Sequence, residues 1–288
     1  MIVPTSAASN ADEFAGELAS QTKNFLATCG GRLHDVSVFS LSMAAKCVAT
    51  SDGFWFLGDN IPALHVVEGV PLLELLRVHV EIPVIGLNDG VAAALGEQGC
   101  VGGAAYGTPN VLAITVGTGV GGAVVANGEP VFFDLASRSG EQPTENSENR
   151  NGPEIGHWKV DESKDAPRCG CAFDDTPGSD RGHLEAMFSG KALSRINLSE
   201  DEKMPLLHER GLRYLPRAIL PLAREYGVTK VVIAGGLGAA LMSEGFGRNL
   251  KTELGDIDVA PANFENASLK GAERFAQLFL VTQKVKEN

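Results

Sequence analysis

Three short motifs put two carboxylates, two imidazoles and two thiols into the 32 residues from Glu154 to Glu185. They are Glu154-Ile155-Gly156-His157, Cys169-Gly170-Cys171 and Gly182-His183-Leu184-Glu185. Cysteine and histidine are the side chains that hold zinc tetrahedrally, and a closed set of four marks a structural site. His157, Cys169, Cys171 and His183 form such a set, with 11, 1 and 11 residues between successive members. A metal there would also fix Glu154 and Glu185 relative to each other. The competing account is a surface loop holding two unrelated cysteines and two unrelated histidines, since Cys-x-Cys alone is a weak signal.

Two glycine runs and one acidic pair complete the set of candidates. Gly117-Thr118-Gly119-Val120-Gly121-Gly122 lies between two apolar stretches. Glycines let a backbone turn sharply and approach a ligand, and bare amides with a threonine hydroxyl can cradle phosphate oxygens. The run lacks the lysine of a P-loop and opens no helix, so neither a P-loop nor a dinucleotide-binding turn fits. A hairpin packed tightly against a neighbour would explain it equally well. Gly235-Gly236-Leu237-Gly238 follows a buried strand candidate and is either a strand-to-helix turn or a seat for a nucleoside. Asn88-Asp89 falls where a strand ends and a helix begins. Open α/β sheets bind ligands at the carboxyl ends of their strands, so Asp89 could take a proton from a substrate hydroxyl. Both residue types are also favoured helix caps.

The elements that must position these residues alternate between strand and helix. Residues 10–28 read as an amphipathic helix with Phe14, Leu18 and Phe25 on one face. Val36–Leu41 and Gly53–Gly58 read as strands, Val70–Val78 as a helix, Ile82–Leu87 as a strand and Val91–Gln98 as a small-residue helix. Val111–Val116 and Val120–Val125 are strands, and Asn127-Gly128 is a hairpin turn. Ser137–Gly152 has no periodicity and reads as an exposed insertion. From Gly182 to Ser194 the pattern is helical, Pro205–Tyr226 reads as two helical pieces interrupted at Pro216 and Pro221, Val231–Ala234 is a buried strand, and Leu269–Val285 is the last helix. This alternation implies an α/β architecture.

The chain has 288 residues, 44% hydrophobic and 21% charged, with a net charge of −12. That is long enough for two domains and ordinary for a soluble protein. The acidic balance argues against a nucleic-acid partner, because phosphate backbones demand a basic surface. No apolar run reaches the roughly 18 residues needed to span a bilayer, so no membrane partner is expected. Met1-Ile2-Val3-Pro4-Thr5 does not resemble a secretory signal, and five scattered cysteines suit a reducing compartment, which points to the cytoplasm.

Taken in order, these segments resemble the ROK family of sugar kinases, within the hexokinase–actin–Hsp70 superfamily. Leu87-Asn88-Asp89-Gly90-Val91-Ala92-Ala93-Ala94-Leu95-Gly96-Glu97 is similar to the family's Asn-Asp helix start. Ile114–Gly122 resembles its second phosphate loop, Glu154-Ile155-Gly156-His157 its Glu-x-Gly-His motif, and Cys169-Gly170-Cys171 with Gly182–Glu185 and Ser189-Gly190 its zinc segment. Val231–Gly236 resembles its adenosine-side strand and turn. The resemblance implies a two-domain, ribonuclease H-like α/β fold, with residues 1–106 and the last helix, 269–288, in one domain and 107–268 in the other.

It also implies ATP-dependent phosphorylation of a hexose, glucose first, at the 6-hydroxyl. By that resemblance Asp89 is the base, and Asn88, Glu154, His157 and Glu185 bind the other sugar hydroxyls. Gly117, Thr118, Gly119, Gly121, Gly122, Gly235 and Gly236 hold the nucleotide, with magnesium on its phosphates. Zinc sits on His157, Cys169, Cys171 and His183, and homodimers are common among relatives. Three departures stand out. The opening strand and Asp-x-Gly-Gly-Thr loop are not found, and Ile2-Val3-Pro4-Thr5 resembles the segment just before the first helix. His183 replaces a third cysteine behind a longer acidic loop, Ala172–Arg181. Ala44-Ala45-Lys46 stands where relatives carry a Pro-Gly turn facing the sugar. The first departure keeps open a non-catalytic, sugar-binding or regulatory relative.

Overall fold

The computed structural model describes residues 8–50, 53–57, 62–133, 149–171 and 180–286. Ile2–Thr5, Gly58, residues 137–148 of the expected insertion and residues 172–179 of the acidic loop lie outside them. In the amino-terminal half, helix α1 (Ala11–Thr28) precedes strand β1 (Phe39–Met43), the hairpin β2 (Lys46–Thr50) and β3 (Gly53–Leu57), helix α2 (Leu72–Val80), strand β4 (Val84–Asn88) and helix α3 (Asp89–Gly99). β1 and β4 run parallel, with Met43 opposite Asn88. β2 and β3 are antiparallel. Phe56, Leu72, Leu73 and Leu76 centre the core of this half.

The expected strand at Val36–Leu41 forms at Phe39–Met43, because pairing with β4 sets its register. Phe25, expected on the buried face of α1, is 45% exposed. The helix is mostly solvent-facing beyond Thr22, so periodicity outlasts the surface it could pack on.

The carboxy-terminal half holds strands β5 (Val111–Val116), β6 (Val120–Ala126), β7 (Glu129–Val131), β8 (Lys230–Ala234) and β9 (Asp258–Pro261). They form one sheet in the order β7-β6-β5-β8-β9, antiparallel from β7 to β5 and parallel from β5 to β9. Asn127 and Gly128 both have positive φ, 54° and 80°, as the primed two-residue turn between β6 and β7 requires. Helices α4 (Leu184–Met187), α5 (Gly190–Ser194), α6 (Glu200–Tyr226), α7 (Gly236–Ser243), α8 (Phe246–Leu254) and α9 (Ala267–Lys286) complete the fold.

Three expectations change here. The helical run Gly182–Ser194 is two short helices, because Ser189 leaves helical geometry and its Oγ accepts from the Ala192 amide at 2.9 Å, capping α5. The two pieces expected around Pro216 and Pro221 are one continuous helix, α6, with Pro205 also inside it. An interior proline costs about 3 kcal/mol, while each fully buried Leu or Ile contributes about 1.5–3 kcal/mol. A face carrying Leu207, Leu215, Ile219 and Leu222, all 0–1% exposed, sustains the helix through all three prolines. The end of the expected exposed insertion is instead interior: Asn149 is 4% exposed and Asn151 1%.

α3 and α9 cross at the middle of the molecule. A methyl on Gly271 would lie 1.6 Å from the Ala92 carbonyl oxygen, and one on Gly96 2.3 Å from that of Ala267, so only glycines allow this approach. Val91, Ala92, Ala94 and Leu95 of α3 share a core with Val111, Ala113, Ala123, Val125 and Val232 of the five-stranded sheet, and Phe275 and Leu278 of α9 pack against it. Among the described residues no helix is long and apolar enough to cross a membrane.

Candidate active site

Asn88 ends β4 and caps α3. Its Oδ1 accepts from the amides of Gly90 (2.9 Å) and Val91 (3.3 Å), and its Nδ2 donates to the Ala45 carbonyl at 3.1 Å. The capping role is therefore present, and it orients the next residue. Asp89 Oδ1 accepts from the Gly90 amide at 2.9 Å, and burial pushes its carboxyl above the ordinary aspartate value. A cavity of 240 Å³ opens beside it, walled by Thr115, Ala234, Gly235, Phe264 and Ser268. Asp89 and the glycine turn of α7 thus share one space.

Glu154 adopts left-handed backbone geometry, φ 47° and ψ 40°, and its carbonyl accepts from the His157 amide at 2.9 Å. Its carboxyl is raised first by burial and then by the negative charges of Glu185 and Asp89, while Lys46 pulls it down. Glu185 and Asp89 are therefore both within electrostatic reach of Glu154. Glu185 touches two features at once. Its Oε2 accepts from the Val120 amide at 3.2 Å, at the glycine hairpin, and its Oε1 lies 3.9 Å from Cys169 Sγ.

The hairpin itself is held from behind. The Gly117 and Thr118 carbonyls accept from the amides of Gly190 (2.8 Å) and Lys191 (2.9 Å) at the start of α5. The Gly117 amide bonds the Gly119 carbonyl at 3.0 Å. Among the described residues the amides of Thr118 and Gly119 make no hydrogen bond, which leaves two donors for an anion. Gly117 and Gly121 border open space. Gly119 lies against the Glu185 carboxylate, the movable end of a side chain, whereas Gly122 lies against the buried, branched Ile155, so packing asks for glycine chiefly at Gly122. Gly235, with φ 84°, has the Val116 carbonyl where a side chain would be, and Gly236 opens α7 beside open space.

Cys169, Cys171, His157 and His183 converge. Each offers one ligand atom, and the four atoms lie within 4.8 Å of one another. Cys169 Sγ is 3.6 Å from His157 Nδ1, and Cys171 Sγ is 3.3 Å from His183 Nδ1. Zinc bonds of about 2.0–2.3 Å at tetrahedral angles put ligand atoms about 3.3–3.8 Å apart, so the donor set suits that ion. Short bridges between Lys159 and His183 and between Arg168 and Arg181 bring the segments together, and Arg168 pairs with the buried Asp180 at 3.0 Å. Without metal, burial pushes the Cys169 thiol up to about 12, with Glu185 and Cys171 adding to the rise. Burial, with help from His183, Lys46 and Lys191, holds His157 down at about 4, so its imidazole is neutral and able to ligate.

Spacing did not single out Lys46, Arg150 or Asn151. Lys46 brings positive charge to Glu154 and His157. Arg150 and Asn151 bond both the β2 backbone and, through the Arg150 carbonyl, the Asn88 amide. The available signal was polar residues immediately ahead of the Glu154 motif, which reads equally well as loop.

Comparison with known proteins gives this constellation a context. The model of the ROK family matches residues 59–242. A glucokinase of Halalkalibacterium halodurans is 36% identical over 126 residues, 44% of this chain and 31% of that one, so this match spans less than a third of the relative. An N-acetylmannosamine kinase of Escherichia fergusonii is 28% identical over 232 residues, 72% of this chain and 69% of that one. Among solved structures, a ROK hexokinase from Thermus thermophilus superposes with a TM-score of 0.72 at 23% identity, covering 100% of this chain and 91% of that one.

Proposed function

Because this chain belongs to the ROK family, we propose that it transfers the γ-phosphoryl group of ATP to the 6-hydroxyl of a hexose. Its fold is the two-lobed α/β fold of the hexokinase–actin–Hsp70 type. The observation that carries the reading is Asp89 beside a cavity it shares with Gly235, with Glu154 within electrostatic reach of it and Glu185 on the glycine hairpin. One carboxylate serves as base and two as hydroxyl acceptors, beside a hairpin with two unengaged amides. The Asp89 carboxylate takes the hydroxyl proton as the sugar oxygen bonds to the γ-phosphorus, the β–γ bridging bond breaks, and ADP leaves. Asn88, Glu154, His157 and Glu185 hold the remaining hydroxyls in register with Asp89.

Thr118 and Gly119 face the phosphates with their amides. Gly117, Gly121 and Gly122 shape that hairpin, and Gly235 and Gly236 let the nucleoside approach the sheet. Magnesium arrives with ATP and supplies charge neutralisation. Zinc on His157, Cys169, Cys171 and His183 would hold the Glu154 and Glu185 segments together, a structural role separate from the transfer. The relative aligned over most of this chain acts on N-acetylmannosamine, which favours an N-acetylated hexose as the second reading.

A coupled ADP-release assay with ATP and either glucose or N-acetylmannosamine tests both substrates. Titration of each sugar by calorimetry, without nucleotide, runs alongside. Turnover with either sugar supports the kinase reading. Sugar binding without turnover would replace it with a sugar-binding protein, and neither binding nor turnover would end it.

A further inference from the structure

The chain from Asn149 to Glu154 runs between the β2 edge and the five-stranded sheet. Asn151, 1% exposed, accepts at Oδ1 from the Cys47 amide at 2.6 Å and donates from Nδ2 to the Cys47 carbonyl at 2.9 Å. Those two bonds reproduce what a neighbouring strand would make with β2, so a side chain completes that edge. The Asn151 carbonyl accepts from the Phe133 amide at 3.1 Å, on the second lobe. The next residue, Gly152, lies so close to β6 that a methyl would stand 2.0 Å from the Gly122 carbonyl.

The residue before has the same two-sided attachment. Arg150 donates its amide to Cys47 at 3.0 Å, and its carbonyl accepts from the Asn88 amide at 3.1 Å. Its guanidinium lies over Phe132 at 4.7 Å and near Phe54 (5.4 Å) and Phe275 (5.6 Å), which belong to three separate parts of the fold. Asn88 Nδ2 bonds Ala45, two residues before Cys47. A closed circuit of hydrogen bonds and intervening backbone therefore runs from Asn88 to Ala45, along the chain to Cys47, across to Asn151 and Arg150, and back to Asn88.

We propose that Asn151 is a positioning residue for the phosphoryl transfer, fixing Asn88 and Asp89 of the first lobe against Glu154 of the second through the backbone of Cys47. The inference rests on the hexose-kinase reading. Only a planar amide of this length presents the needed acceptor and donor together. Aspartate has the same shape but only accepts, so it sets oxygen against the Cys47 carbonyl. Serine leaves the Cys47 amide without its acceptor and the Cys47 carbonyl with the Arg150 amide alone.

The experiment compares wild type with Asn151→Asp and Asn151→Ser by steady-state kinetics, sugar calorimetry and amide hydrogen exchange. Both variants should lower kcat/KM for the hexose by about 10²-fold, while KM for ATP stays within about twofold of wild type. Exchange in the peptides containing Cys47 and Asn88 should accelerate together, leaving that of β8 unchanged. A lower melting temperature with unchanged kcat/KM for the hexose in the folded fraction would overturn the proposal. Should both variants fail to fold, wild type decides: Cys47 and Asn88 amides that exchange rapidly would overturn it, and joint protection would support it. A wild-type protein that neither binds nor phosphorylates hexose overturns the kinase reading alone, and the exchange arm still decides whether Asn151 ties the lobes.

Discussion

Asp89 stands at the start of α3 with its carboxyl raised by burial, a stability cost that makes sense for a base. Because its folded value lies above that of the unfolded chain, its contribution to stability is present below about pH 4 and is lost as pH rises through the folded value. Asp89→Asn should therefore melt higher than wild type at pH 7, with the difference vanishing near pH 4. Its turnover should fall about 10²–10⁴-fold while sugar affinity stays within a few-fold. Thermal melts at both pH values, run beside the kinetic assay, check both halves, and undiminished turnover would refute the assignment. The metal set gives a second outcome at this scale. A Cys169 thiol held near 12 must lose its proton to ligate, so zinc retention should rise with pH. Metal analysis after dialysis at pH 5 and pH 8 should find more zinc at pH 8. Cys169→Ser should lose stability and sugar affinity together. The grouping of His157, Cys169, Cys171 and His183 was legible from residue type and spacing, and so was the place of Asp89 where a strand gives way to a helix, whereas Asn151 was not, because its bonds run to Cys47, 104 positions away.

At the scale of elements, the glycines divide by what stands where a side chain would be. Gly271 and Gly96 let α3 and α9 cross in backbone contact, whereas Gly121 faces open space. Replacing a helical glycine by alanine ordinarily stabilises by about 0.5–1 kcal/mol. Gly271→Ala should instead destabilise by about 1–3 kcal/mol or more, since a carbonyl oxygen, not a flexible side chain, fills the space. Gly121→Ala should unfold within about 1 kcal/mol of wild type. Denaturant titrations of the two variants measure this contrast, and similar losses in both would show the crossing is looser than drawn. Most strands and helices were legible from periodicity, including α1, β3, β5 and the β6–β7 turn. The continuity of α6 was not, because three prolines are a local signal and the buried face that overrides them is tertiary.

Over the whole molecule, the proposed site draws Asp89 from the amino-terminal half and Glu154, Glu185 and the glycine hairpin from the carboxy-terminal half. Sugar and a non-hydrolysable nucleotide should therefore bind cooperatively, each favouring the arrangement the other needs. Calorimetry should give a sugar dissociation constant several-fold lower at saturating nucleotide, and independent binding would show that the lobes do not couple. The amino-acid sequence by itself determined the α/β class, the His/Cys grouping and the family resemblance, because residue type and alternation carry that information locally. Tertiary structure alone decided that α3 and α9 cross on glycines, that Glu185 bridges the hairpin and the cysteines, and that a buried asparagine closes β2. Those outcomes depend on which distant backbones meet, and no spacing along one chain records a contact made across the fold.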